Sequence, residues 1–190
     1  MSDDVLQGFA ENIIREVEAG LSSDAPFSEE VFTRFLLERL EDAGHLENTF
    51  DLYQEGRIKN ASYRIDGYAF DEERSRLDLF TTIYSDELPP SRLASNDVVK
   101  AFERALRFAS ACVDGLASQL EPSNTDASDL ARLIETQAPD LTAIRIVCLP
   151  TVWSETSSFR LTGEDGRSNA RSTTLFVCKG FLARERHAPT

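Results

Sequence analysis

Asp66 and Asp78 stand on either side of an acidic turn in "RIDGYAFDEERSRLDLFTTIY", residues 64–84. Two carboxylates on neighbouring strands are the ligand chemistry of magnesium. It is a hard ion that prefers oxygen donors and keeps waters, one of which can attack a phosphodiester. With the turn centred on Glu73, antiparallel pairing sets Asp66 opposite Phe80 and Tyr68 opposite Asp78, all on one side of the ribbon. The acids are then diagonal neighbours, roughly 7–8 Å apart, and one divalent ion could bridge them. A slip of one residue would send them to opposite faces.

An Asp before a turn, followed by an acid-x-Lys tripeptide on the next strand, is the pattern of the restriction-endonuclease-like superfamily, which this hairpin resembles. Here the tripeptide is Asp78-Leu79-Phe80. The resemblance implies that a lysine would orient the attacking water and stabilise charge on the phosphate, which a phenyl ring cannot do. Lys59 and Lys100 are the substitutes on offer, with nothing in their spacing to favour either. Glu30, on the helix SEEVFTRFLLERLEDAG, is a candidate third ligand, because related folds bring an acid from that helix to the hairpin. Arg145 is a candidate phosphate contact.

Each of these residues also has a plain structural role open to it. Asp66 precedes Gly67 and can hydrogen-bond locally. Asp78 can face solvent on a strand whose other face carries Leu77, Leu79 and Ile83. Glu30 can solvate a helix, and Arg145 can lie along a strand edge. Tyr68, Phe70, Phe80 and Tyr84 are expected on the face of the acids, which is aromatic for a wet surface.

The elements that must position the acids follow from periodicity. Val5, Phe9, Ile13, Ile14 and Val17 recur at helical spacing before Gly20. A second helix follows Ser28 as N-cap, with Val31, Phe32, Phe35, Leu36 and Leu40 along one stripe and Gly44 as its stop. Strands are expected in TFDLYQEG, closed by Gly56, then in SYRIDGYAF and RLDLFTTIY. Pro89 and Pro90 end the meander. A long helix runs from Ser95 to about residue 120, a short one carries Leu130, Leu133 and Ile134, and AIRIVCLPTV is a strand suited to burial. The order is αα βββ αα β. The expected fold is therefore α/β with a mixed sheet: an αβββαβ core of restriction-endonuclease-like type with an additional N-terminal helix.

Residues 1–150 form one expected domain, and 151–190 an atypical tail, rich in Ser, Arg and Thr, with one strand-like run in TTLFVCKGF. Its change of composition suggests a truncated or rearranged segment. No apolar run is long enough to span a bilayer, and the acidic N-terminus has no leader pattern, so a cytoplasmic protein is expected. Three dispersed cysteines and two histidines offer no zinc-like spacing. The net charge is −13. Residues 1–90 hold 21 acidic against 8 basic side chains, a surface poorly suited to gripping nucleic acid unaided.

Three stretches, FSEEVFTRFLLERLEDAG, RIDGYAFDEERSRLDLF and TAIRIVCLPT, resemble the N-terminal region of the abortive-infection phage-resistance (AIPR) proteins of bacterial defence, over roughly residues 5–150. Members of that family are generally several times longer. The resemblance implies a nuclease-related domain in a protein that limits phage. With Phe80 in place of lysine, the expected role is a non-catalytic sensing or docking module that meets a protein partner. The alternatives are a magnesium-dependent DNA nuclease using Asp66 and Asp78, and an oligomerisation domain whose helices pair between subunits.

Overall fold

The computed structural model describes residues 3–21, 27–88, 93–120, 124–151 and 174–177. The elements run α1 (Asp3–Gly20), α2 (Ser28–Asp42), β1 (Thr49–Ile58), β2 (Ala61–Asp71), β3 (Arg76–Ile83), α3 (Ser95–Val113), a 3₁₀ turn (Leu116–Gln119), α4 (Thr125–Gln137), β4 (Ala143–Pro150) and β5 (Thr174–Val177). The α/β class, the element order and the additional N-terminal helix agree with the reading of the sequence. Apart from Thr151 and β5, the tail expected at 151–190 lies outside the described residues.

One sheet, in the order β1-β2-β3-β4-β5, divides two helical layers. β1, β2 and β3 form the antiparallel meander, and β4 joins β3 in parallel after the α3–α4 crossover. That crossover covers one face. Val98, Phe102, Ala105 and Phe108 of α3, with Leu130 and Ile134 of α4, pack on Tyr63, Ile65, Leu77, Leu79 and Ile146. On the other face, Ile13 and Val17 of α1 and Val31, Phe32 and Leu37 of α2 cover Ala69, Phe80, Val147 and Leu149. Apolar side chains on both sides explain why β3 and β4 are apolar on both faces, whereas the edge strand β1 alternates with exposed residues. Cys112 and Cys148 are buried thiols, and burial, helped by Glu135, pushes Cys112 up to about 12.

Several expected boundaries move. Gly56 does not close β1, which continues to Ile58 because the ring of Tyr63 lies over the glycine where any Cβ would collide. The long helix stops at Val113, and Gly115 follows at φ 89°, a left-handed conformation that turns the chain into the 3₁₀ segment. Phe27, rather than Ser28, occupies the N-cap position of α2 and Ala94 that of α3, and neither cap is made by a side chain. A strand does form in TTLFVCKGF, over Thr174–Val177.

Candidate functional site

The hairpin register differs from the expected one by a residue. Phe80 lies opposite Gly67, not Asp66, and Asp78 lies opposite Ala69, not Tyr68. With regular alternation, that slip would put the two aspartates on opposite faces. They nevertheless share a face, because β2 itself is irregular. Tyr63 and Ile65 point into the α3–α4 layer, and so do Tyr68 and Phe70, which is impossible with unbroken alternation. The break falls at Asp66 and Gly67, where the β1–β2 pairing shifts between Asp51 and Gln54. A Cβ on Gly67 would sit 2.8 Å from the Phe50 carbonyl oxygen and 3.0 Å from Leu37 of α2, so the irregularity requires glycine. The aromatic face is corrected accordingly. Phe80 and Tyr84 lie on the side of the acids, while Tyr68 and Phe70 pack on the opposite layer.

Sharing a face does not bring the acids together. Asp78 is level with a residue three positions beyond Asp66, roughly 10 Å along the strand, not the diagonal neighbour expected. Each has its own partners. Asp66, 4% exposed, accepts from Arg64 Nε through Oδ1 at 2.8 Å and from the Thr82 backbone N–H through Oδ2 at 2.6 Å. Arg64 reaches on with Nη2 to Glu29 Oε2 at 2.6 Å and lies over the Tyr53 ring, 5.0 Å from its centre. Burial raises the Asp66 pKa above the ordinary carboxylate value, against the opposing pull of Arg64 and the Thr82 amide. Burial alone would lower Arg64, but Asp66 and Glu29 hold it well above its usual value.

Asp78, 2% exposed, takes two guanidinium groups instead. Arg145, its direct neighbour across the β3–β4 pairing, binds both carboxylate oxygens, with Nε 2.5 Å from Oδ1 and Nη2 on Oδ2. Arg76 Nε lies 3.3 Å from Oδ1 without hydrogen-bond alignment, and Arg76 Nη2 lies 3.1 Å from Asp71 Oδ2. The Arg74 hydrogen bond holds Asp71 below its ordinary pKa. Arg145 therefore spends its fork on a neighbouring strand.

Glu30 and Asp66 line one cleft. That cleft, of about 210 Å³, is lined by Glu30, Thr33, Arg34, Asp51, Leu52, Tyr53 and Asp66. Asp78 does not border it. Beside Asp66 on β3 stand Thr81 and Thr82, both buried, and the Thr82 hydroxyl pairs with Thr33 of α2 at 2.6 Å. Neither is an acid, and Ile83 follows where a lysine would be wanted. Among the described residues, no group of three or more His, Cys, Asp or Glu side chains is arranged to hold a metal ion. The magnesium implied by the superfamily resemblance does not fit this donor set, since both Asp66 oxygens and both Asp78 oxygens are already engaged.

The signal that sequence reasoning missed is the pair of R-x-D tripeptides. Arg64-Ile65-Asp66 and Arg76-Leu77-Asp78 each place an arginine two positions before the acid, hence on its own side of a strand. The cation at each carboxylate was therefore legible, although the third partners, Glu29 and Arg145, come from elements distant in the chain.

The abortive infection phage resistance protein N-terminal domain matches residues 32–167, which takes in Asp66, Asp78 and their arginines, the sheet through β4 and the α3–α4 crossover, and begins just after Glu29 and Glu30. The chain belongs to this family. It carries the N-terminal domain of abortive-infection phage-resistance proteins, and the match spans well over half of its 190 residues. No curated protein and no solved structure matches the chain. No helix among the described residues is long and apolar enough to cross a membrane.

Proposed function

We propose that this AIPR N-terminal domain is a non-catalytic, nuclease-related module that docks onto a protein partner in bacterial anti-phage defence, acting in the cytoplasm. The carrying observation is the strand beside Asp66, where Thr81, Thr82 and Ile83 offer neither a second acid nor a lysine. Hydrolysis of a phosphodiester by this class of site needs a positioned ion and a group that orients the water. Asp66 instead has one oxygen on a guanidinium and the other on a backbone amide. The acidic surplus of residues 1–90 suits a protein partner with a basic surface better than a polyphosphate.

The test is cleavage of supercoiled plasmid in magnesium or manganese by the wild type, Asp66→Asn and Asp78→Ala. The expected outcome is equal background in all three. Cutting that is lost in Asp66→Asn would instead support the nuclease reading. Light scattering on the same samples addresses the oligomerisation reading, which a clean monomer would remove.

A further inference from the structure

β1 is the free edge of the sheet. It stands first in the order β1-β2-β3-β4-β5, and among the described residues no strand lies beyond it. Such an edge carries a row of backbone N–H and C=O groups without ladder partners, which proteins commonly blunt with a short strand or a proline. β1 has ten residues and no proline. Its side chains alternate. Phe50, which stacks on Tyr68, Leu52 and Ile58 turn to the α3–α4 side, while Asp51 and Tyr53 turn to the α2 side, where they line the cleft. Phe50 and Tyr53 are 49% and 40% exposed, and Asp51, Glu55 and Arg57 are exposed as well. Neither Asp51 nor Arg57 has an ion-pair partner among the described residues. The charges run in order along the strand, with the acids Asp51 and Glu55 first and then Arg57 and Lys59. A strand so ordered is complementary to its own reverse.

We propose that β1 pairs antiparallel with β1 of a second copy, across a two-fold axis at Gln54, joining two sheets into one. Each Asp51 then lies opposite Arg57 of the other copy, each Phe50 opposite Ile58 and each Thr49 opposite Lys59. Opposite charges meet twice and apolar side chains meet twice, in addition to the ladder bonds. The neighbouring registers are worse. An axis at Tyr53 sets Asp51 against Glu55, and an axis at Glu55 sets that acid against its own copy, so both oppose like charges. One strand pair is a small interface beside the roughly 1,200–2,000 Å² of stable complexes, which makes the dimer weak and concentration-dependent. Pairing at an edge leaves both helical layers uncovered, so this inference goes beyond the docking role and does not depend on it.

The experiment is sedimentation velocity of the full chain from low to high micromolar concentration, where a monomer–dimer equilibrium is expected. Asp51→Arg and Arg57→Asp, both at exposed positions, each set like charges opposite one another twice. Each is expected to weaken the dimer by about tenfold. Mixing the two single variants returns opposite charges to both pairs, as does the exchange of both residues in one chain, and each is expected to restore the wild-type equilibrium. Recovery on mixing requires both variants to be folded, so it separates a lost contact from a lost fold. A chain that stays monomeric throughout, a dimer indifferent to both reversals, or a weakening that mixing does not reverse overturns the proposal.

Discussion

Arg64-Ile65-Asp66 and Arg76-Leu77-Asp78 are the same short device on adjacent strands, with different outcomes. At Asp66, one guanidinium is shared with α2 and the second carboxylate oxygen goes to a backbone amide, so the cluster joins sheet to helix and borders a cleft. At Asp78, two guanidinium groups converge, one from its own strand and one from the parallel neighbour β4, so the cluster joins strand to strand. The contrast shows that a buried acid in this fold is specified less by its own strand than by what the opposing layer or strand delivers.

The largest expected effect comes from breaking the second cluster. Asp78→Ala removes the carboxylate that binds the fork of Arg145 and leaves Arg76 with Asp71, each arginine being less than a quarter exposed. It should cost about 3 kcal/mol, because breaking a buried ion pair from one side is the expensive outcome. Urea unfolding measures this, and a loss under about 1 kcal/mol would mean that the arginines find water instead.

A smaller effect, with a definite sign in pH, separates the first cluster. Burial raises Asp66 above its unfolded pKa, so its contribution to stability is present below the unfolded value and is lost as pH rises through the folded one. Asp66→Asn has no such titration. The stability of the wild type relative to Asp66→Asn should therefore fall as pH rises above the ordinary carboxylate value of about 4. A rise over that range would show that pairing with Arg64 outweighs burial.

The smallest effect expected is the coupling between the two clusters. With no shared partner and roughly 10 Å between them along the strand, Asp66→Asn and Asp78→Asn should add to within about 0.5 kcal/mol. Coupling well above that, in metal-free buffer or with manganese, would restore a single two-aspartate site.

The element order and the burial of β4 were legible because apolar spacing is a local property of the chain. Asp66 and Asp78 were correctly expected on one face, but for a reason that the structure replaces. The register is one residue off, and the irregularity at Asp66-Gly67 returns the acids to the same side. Neither departure has a local signature beyond the glycine, because register is set by how β1 and α2 pack against β2. Phe80 illustrates the same limit. It was expected where a lysine would act, yet it is a core residue under α2, opposite Gly67 and one position along the strand from Asp66.

By itself the sequence determined the alternation of helices and strands, the acidic surplus, and an arginine two positions before each aspartate, since all three depend on residue type and short spacing. The tertiary structure alone decided that Asp66 meets the Thr82 amide, that Arg64 reaches Glu29, and that Asp78 meets Arg145. Those partners are brought together by sheet pairing and helix packing across 16 to 67 positions of chain, which no short-range pattern encodes.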